Sequence, residues 1–85
     1  MSVYVDSQRW PYGRMLMCHM MADTEDELHG MAGKIGLKHR WAQVSRSGVL
    51  HYDICQQKRA EAVRHGAIEI GRRKVVELMK KAGAK

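Results

Sequence analysis

The chain has 85 residues, 45% of them apolar, and a formal net charge of +6. Such a length points to one domain, the apolar fraction argues against wholesale disorder, and no run approaches the ~18 apolar residues of a membrane span. The charge is one-sided: residues 1–55 balance, and the excess falls in residues 56–85, where nine basic side chains face only Glu61, Glu69 and Glu77.

In chain order, Val3 and Val5 alternate with Tyr4 over Ser2–Asp6, a short strand pattern. Pro11 and Gly13 mark Gln8–Gly13 as a turn, because the residue before proline is pushed out of helix. Arg14–Ala22 is a continuous apolar run that reads as a buried strand. It would place Met15, Met17, His19 and Met21 on one face, and Leu16, Cys18, Met20 and Ala22 on the other. Its methionines suit adaptable core filling or an interaction surface. Thr24-Glu25-Asp26-Glu27 is a capping box, and its three acids favour the positive end of a helix dipole. Leu28, Met31, Ala32 and Ile35 follow at helical spacing, so a helix is expected over Glu25–Ile35. Gly36 supplies its left-handed stop and Leu37 the contact beyond it.

Lys38–Gln43 mixes basic and aromatic residues in a short strand or ordered loop, and Ser45–Gly48 is a polar loop. A second helix begins near Cys55 or Gln56 and stops at His65-Gly66, and Ala67–Ile70 is a short strand. A third helix over Arg72–Ala82 buries Val75, Val76 and Met79, and residues 80–85 form a basic, fraying tail. The expected architecture is a small single α+β domain spanning 1–85, with three or four short strands and about three helices. So small a core would gain burial from a homodimer. Cys18 and Cys55 lack the close spacing of a metal or redox pair, and the N-terminus lacks the features of a signal peptide. Both point to a reduced, cytoplasmic protein with two free thiols.

The chemistry concentrates at His51-Tyr52-Asp53, set between apolar Val49-Leu50 and Ile54-Cys55. Burying such groups without partners costs about 1–3 kcal/mol each, so the fold or a ligand must satisfy them. If the strands carrying His19 and His51 lie side by side, two imidazoles and the Asp53 carboxylate converge. That set suits a divalent metal such as zinc, manganese or iron, and equally a general base with an orienting carboxylate. His19, His51 and Asp53 are therefore the candidate catalytic and metal-ligating residues. Arg14, Lys58 and Arg59 are candidates for holding a phosphate. Structural roles compete with these: Asp53 as cap of the second helix, His51 as a hydrogen-bonded core histidine, Asp23 as a solvated first-turn acid, His29 bordering the apolar face.

The run Cys18-His19-Met20-Met21-Ala22-Asp23-Thr24, then Glu27-Leu28-His29-Gly30-Met31-Ala32, then His51-Tyr52-Asp53, with Lys58-Arg59 and Gly66-Ala67, resembles the small phage and bacterial proteins grouped as domain of unknown function 4031. The resemblance spans roughly residues 2–70. Gly30 stands where alanine is commoner, and the Val44–Val49 loop is longer than the family's tight connection. Some bacterial members carry the domain ahead of a metal-dependent phosphohydrolase, which implies nucleotide or nucleic-acid chemistry. The recurring polar positions add Asp23, His29 and Tyr52 to Arg14, Lys58 and Arg59 as candidate ligand-binding residues, and the family brings no established activity or cofactor.

Three functions follow as expectations. The first is a phage-type accessory domain binding nucleic acid or a phosphorylated nucleotide in a His/Asp pocket, with Arg72, Arg73, Lys74 and Trp41 as further nucleic-acid contacts. The second is a metal-assisted phosphoester hydrolase using the same cluster. The third is a non-enzymatic inhibitor or assembly factor that binds a host or phage protein. A phage-encoded chain would act in the host cytoplasm, away from membranes.

Overall fold

The computed structural model describes residues 2–46 and 48–83. Six strands and three helices follow one another: β1 (Val3–Val5), β2 (Trp10–Tyr12), β3 (Met15–Ala22), α1 (Glu25–Lys34), a 3₁₀ turn (His39–Trp41), β4 (Gln43–Val44), β5 (Leu50–Cys55), α2 (Gln56–Arg64), β6 (Ile68–Glu69) and α3 (Arg72–Gly83). The domain is α+β as expected, but with six strands rather than three or four. The additional ones, β2 and β4, are three and two residues long, too short to display an alternating pattern, and they form because longer strands offer them a free edge; β6 falls within the strand expected over Ala67–Ile70. Trp10–Tyr12, expected within a turn, pairs antiparallel with Met15–Met17. Pro11 is tolerated because β2 pairs on one side only. Lys38–Gln43 splits between the 3₁₀ turn and the first residue of β4.

The sheet runs β4-β5-β3-β1-β6, with β2 also alongside β3. Every pairing is antiparallel except β1 with β6, which is parallel. The β3–β5 register sets Cys18 opposite Ile54, His19 opposite Asp53 and Met20 opposite Tyr52. Strand alternation then sorts the faces. Val3, Val5, Cys18, Met20, Tyr52 and Ile54 join Leu28, Met31 and Ala32 of α1, Ile35 just after it and Ala62 of α2 in one core. Tyr4, Met17, His19, Met21, His51 and Asp53 take the other face. There Lys74 of α3 stands 5.9 Å from the Tyr4 ring centroid, and Leu78 shares a cleft with Met21 and Leu50. Arg14–Ala22 is thus buried only towards its C-terminal end; Met15 and Leu16 lie 46% and 41% exposed.

Two helix ends are built by the same local chemistry. Thr24 Oγ1 accepts from the Glu27 amide at 3.2 Å and donates to Glu27 Oε1 at 2.9 Å, so the glutamate closes on the hydroxyl rather than on a backbone N–H. At the other end Ile35 is the C-cap. Gly36 takes φ +81°, its amide donates to Gly33 O, and Leu37 N donates to Ala32 O at 2.8 Å. Helix α2 repeats this closure with Gly66 at φ +101° and Ala67 N on Ala62 O. Asp53 does not cap α2, because β5 extends to Cys55 and Cys55 is the N-cap, without a side-chain hydrogen bond. In α3, Val75 is buried but Val76 is 42% exposed, contrary to expectation. The side chain of Met79 and the end of the expected tail, residues 84–85, lie outside the described residues.

Candidate functional site

The register of β3 against β5 places His19 beside Asp53, and alternation brings His51 onto the same face. His19 Nε2 lies 3.7 Å and His51 Nε2 3.5 Å from Asp53 Oδ1. The three ligand atoms all fall within 4.8 Å of one another. The rings of the two histidines meet edge-on at 5.2 Å between centroids.

Each imidazole is anchored through its other nitrogen. His19 Nδ1 donates to Asp6 Oδ2 at 2.7 Å, and His51 Nδ1 donates to the Val49 carbonyl at 3.1 Å. A carboxylate and a carbonyl only accept, so both Nδ1 atoms carry the hydrogen and a neutral ring keeps its lone pair on Nε2. Two Nε2 lone pairs and one carboxylate oxygen therefore face a common point. Asp53 Oδ1 is buried there and has no hydrogen-bond partner. His51 is a buried, hydrogen-bonded histidine that ties its strand to the preceding turn, but it lies on the face opposite the core, and only one of its two nitrogens is occupied by that task.

Asp6 is the functional residue that sequence reasoning missed. It is 1% exposed and accepts from His19 Nδ1, from the His19 amide at 3.0 Å and from the Gln8 amide at 3.3 Å. Burial on its own would push its carboxyl up, but the hydrogen bonds and charge of His19 and the Gln8 amide outweigh it and hold the carboxyl below its ordinary value. The Asp6 hydrogen bond pushes His19 up from its ordinary value; burial opposes this, and the charges of Asp6 and Asp53 reinforce it. In the sequence Asp6 merely ends a strand pattern, and nothing local ties it to a histidine thirteen residues on. Trp10 joins the cluster as well: its ring packs against His19 at 4.5 Å between centroids.

The remaining candidates go elsewhere. Tyr52 projects into the core, and its hydroxyl is hydrogen-bonded to His29 Nδ1 at 2.7 Å. His29 in turn stacks on His39 at 3.8 Å. Asp23 is not simply solvated: it accepts from the Ser2 amide at 2.9 Å and the Tyr4 hydroxyl at 3.1 Å. Lys58 donates to the Ile35 carbonyl at 2.6 Å, closing the end of α1. Arg59 donates to the Asp6 carbonyl at 3.0 Å and to Glu69 at 2.8 Å, so it braces the strand behind Asp6. Arg14 is exposed in the β2–β3 turn, Arg72, Arg73 and Lys74 are exposed on α3, and Trp41 is exposed beside Lys38. Cys18 is buried on the core face, and burial foremost pushes its thiol up to about 12, which leaves it inert as a nucleophile.

The molecule is thus a small α+β domain carrying two histidines and one carboxylate on the sheet face opposite its main core. The chain belongs to the family described as Protein of unknown function (DUF4031), whose family model matches residues 3–82, reaching past Ile70 to Ala82 in α3. No curated protein and no solved structure matches the chain. Among the described residues no helix is long and apolar enough to cross a membrane.

Proposed function

We propose that the domain binds a divalent metal through His19 Nε2, His51 Nε2 and Asp53 Oδ1, and uses it in hydrolysis of a phosphoester. The observation that carries this is the orphaned Asp53 Oδ1 facing two pre-oriented imidazole nitrogens. Three acceptors turned on one point repel one another unless a cation or proton lies between them. Tetrahedral ligands at zinc bond lengths stand about 3.3 Å apart, so the two histidine-to-Asp53 separations of 3.5 and 3.7 Å need to close by only a few tenths of an ångström, with all three atoms within 4.8 Å of one another. Two neutral imidazoles and one carboxylate suit zinc, iron or manganese, and three protein ligands leave positions for water and substrate. Asp6 and the Val49 carbonyl serve as the outer hydrogen bonds that fix ligating histidines.

The bound ion supplies Lewis acidity and a more acidic water. In the hydrolysis, the water oxygen forms the new P–O bond and the bridging P–O bond breaks. One water proton goes to the leaving oxygen and the other ends on the product phosphate or in solvent. The chain's own side chains hold the ion, fix the histidine tautomers and present an exposed rim to an anionic substrate. The net charge of +6 favours such a substrate at long range. A phosphate held directly by Lys58 and Arg59 is not part of this proposal, because both are committed to Ile35, Asp6 and Glu69.

The test is metal analysis and calorimetric titration of untagged protein with zinc and manganese, alongside His51→Ala and Asp53→Ala. One tightly held equivalent, lost in both variants together with hydrolysis of a nucleotide panel, is the expected result. Protein that takes up no metal, with the variants indistinguishable from it, overturns the reading.

A further inference from the structure

We infer that strand β2 is a stacking track that delivers single-stranded nucleic acid to this centre. The inference deepens the hydrolase reading and rests on it for where the strand would be cut. Trp10 pairs with Met17 and Tyr12 with Met15, so alternation puts both aromatic rings on the face that bears His19. Contact between the Trp10 and His19 rings confirms that side. Tyr12 is 68% exposed and Met15 46%, an unusual display of apolar surface on a strand adjoining a polar cluster. Arg9 and Arg14, both exposed, bracket the track, and none of the acidic side chains falls between them.

Spacing selects the ligand. Alternate residues on a strand lie about 6.8 Å apart. That is twice the ~3.4 Å rise per nucleotide of a duplex strand, so adjacent bases reach both rings only when they are unstacked and splayed. Sheet-borne aromatics flanked by arginine suit that form of nucleic acid, since every base has a π-face and every linkage a charge. A base on Trp10 sets its phosphate beside His19, and therefore beside the centre, while Tyr12 holds the next base outward.

The experiment measures binding of labelled oligothymidylate, oligouridylate and a duplex of mixed sequence in EDTA, where the metal reading plays no part. Metal uptake by the same proteins is measured separately with zinc alone. Wild-type protein is expected to bind single strands in preference to duplex. Tyr12→Ala is expected to weaken that binding at least about fivefold, and Tyr12→Phe to restore it. Arg14→Gln is expected to lower the salt slope by about 0.7. Zinc stoichiometry should not change in any of the three. Equal affinity for duplex, or Tyr12→Ala binding as wild type does, overturns the track whatever zinc does. So does a Tyr12→Ala change that alters self-association and nothing else, which would assign the surface to a second copy of the chain. Loss of zinc binding in wild type with stacking intact would instead overturn the metal reading alone.

Discussion

Asp6→Asn separates a positioned histidine from a merely packed one. Asp6 Oδ1 accepts two backbone amides, from His19 and Gln8, and Oδ2 accepts the His19 ring N–H at 2.7 Å. An asparagine keeps its oxygen on the amides, because the reverse orientation would set its NH₂ against the His19 amide and leave buried donors unpaired, at about 1–3 kcal/mol. Its NH₂ then faces His19 Nδ1. The ring answers by moving its hydrogen to Nε2, so that a donor, not a lone pair, points at Asp53. Exchanging a charge-assisted hydrogen bond for a neutral one lowers stability by about 1–2 kcal/mol. Loss of an outer-shell partner of this kind lowers metal affinity by about 10–100-fold. Thermal unfolding reports the first, zinc competition titration the second, and ¹⁵N shifts of the His19 ring the tautomer itself. A folded Asp6→Asn protein with wild-type zinc affinity and an unchanged tautomer would refute the argument.

Asp53→Ala should leave the metal-free protein at least as stable as wild type, because it deletes a buried oxygen that has no partner, while abolishing any metal-induced rise in Tm. A clear loss of stability in EDTA would show that Asp53 has a structural partner after all. Tyr52→Phe should cost about 1 kcal/mol by unmaking its bond to His29, with metal affinity unchanged because Tyr52 faces the core; urea denaturation and zinc titration check the two halves. The Asp6–His19 pair also predicts a pH dependence. His19 binds its proton more tightly folded than unfolded, so its contribution is complete below the ordinary 6.5 and is lost as pH rises through the higher folded value. Asp6 is the stronger acid when folded, so its contribution is present above the ordinary 3.8 and is lost as pH falls through the lower folded value. The stability gap between wild type and Asp6→Asn in EDTA should therefore be widest between those two ordinary values, and a gap that widens instead towards alkaline pH would contradict the assignment.

What was legible in the sequence was what short-range chemistry decides. The Thr24 cap, the Gly36 and Gly66 stops and the helices between them are written in residues three to five apart, and they fold as read. Strands β2 and β4 were not legible because each is only two or three residues long and is made by pairing with a longer neighbouring strand rather than by a pattern of its own. The site divides in the same way. His19, His51 and Asp53 stood out as polar groups within apolar runs, and their shared face follows from strand parity. Parity equally removes Tyr52, which lies between two of them yet points to the opposite side. Lys58 and Arg59 looked available because sequence does not show that one closes a helix end and the other braces β1 against Glu69. Asp6 was invisible because its meaning lies in one long-range contact.

The arrangement also explains why the centre sits where it does. β3 is flanked by β1 and β2 on one side and β5 on the other, so its backbone is among the most fully paired in the sheet. Side chains projecting from β3 and β5 inherit that rigidity, and each imidazole is further locked by its Nδ1 hydrogen bond. Cys18 and Met20 of β3 pack the core while His19 faces the cluster, so hydrophobic burial holds the strands in register without filling the site. Rigidity of this kind does not by itself require a ligand. What supports the proposed one is the combination: a fold that satisfies Asp6 threefold and each Nδ1 once, yet leaves Asp53 Oδ1 buried and unpaired beside two Nε2 atoms. Gln56 Nε2 and Glu61 Oε2 are likewise buried without a hydrogen-bond partner, so what singles out Asp53 Oδ1 is its place beside two imidazole nitrogens rather than its lack of a partner alone. A cation held between the three atoms, as proposed above, would satisfy all of them at once.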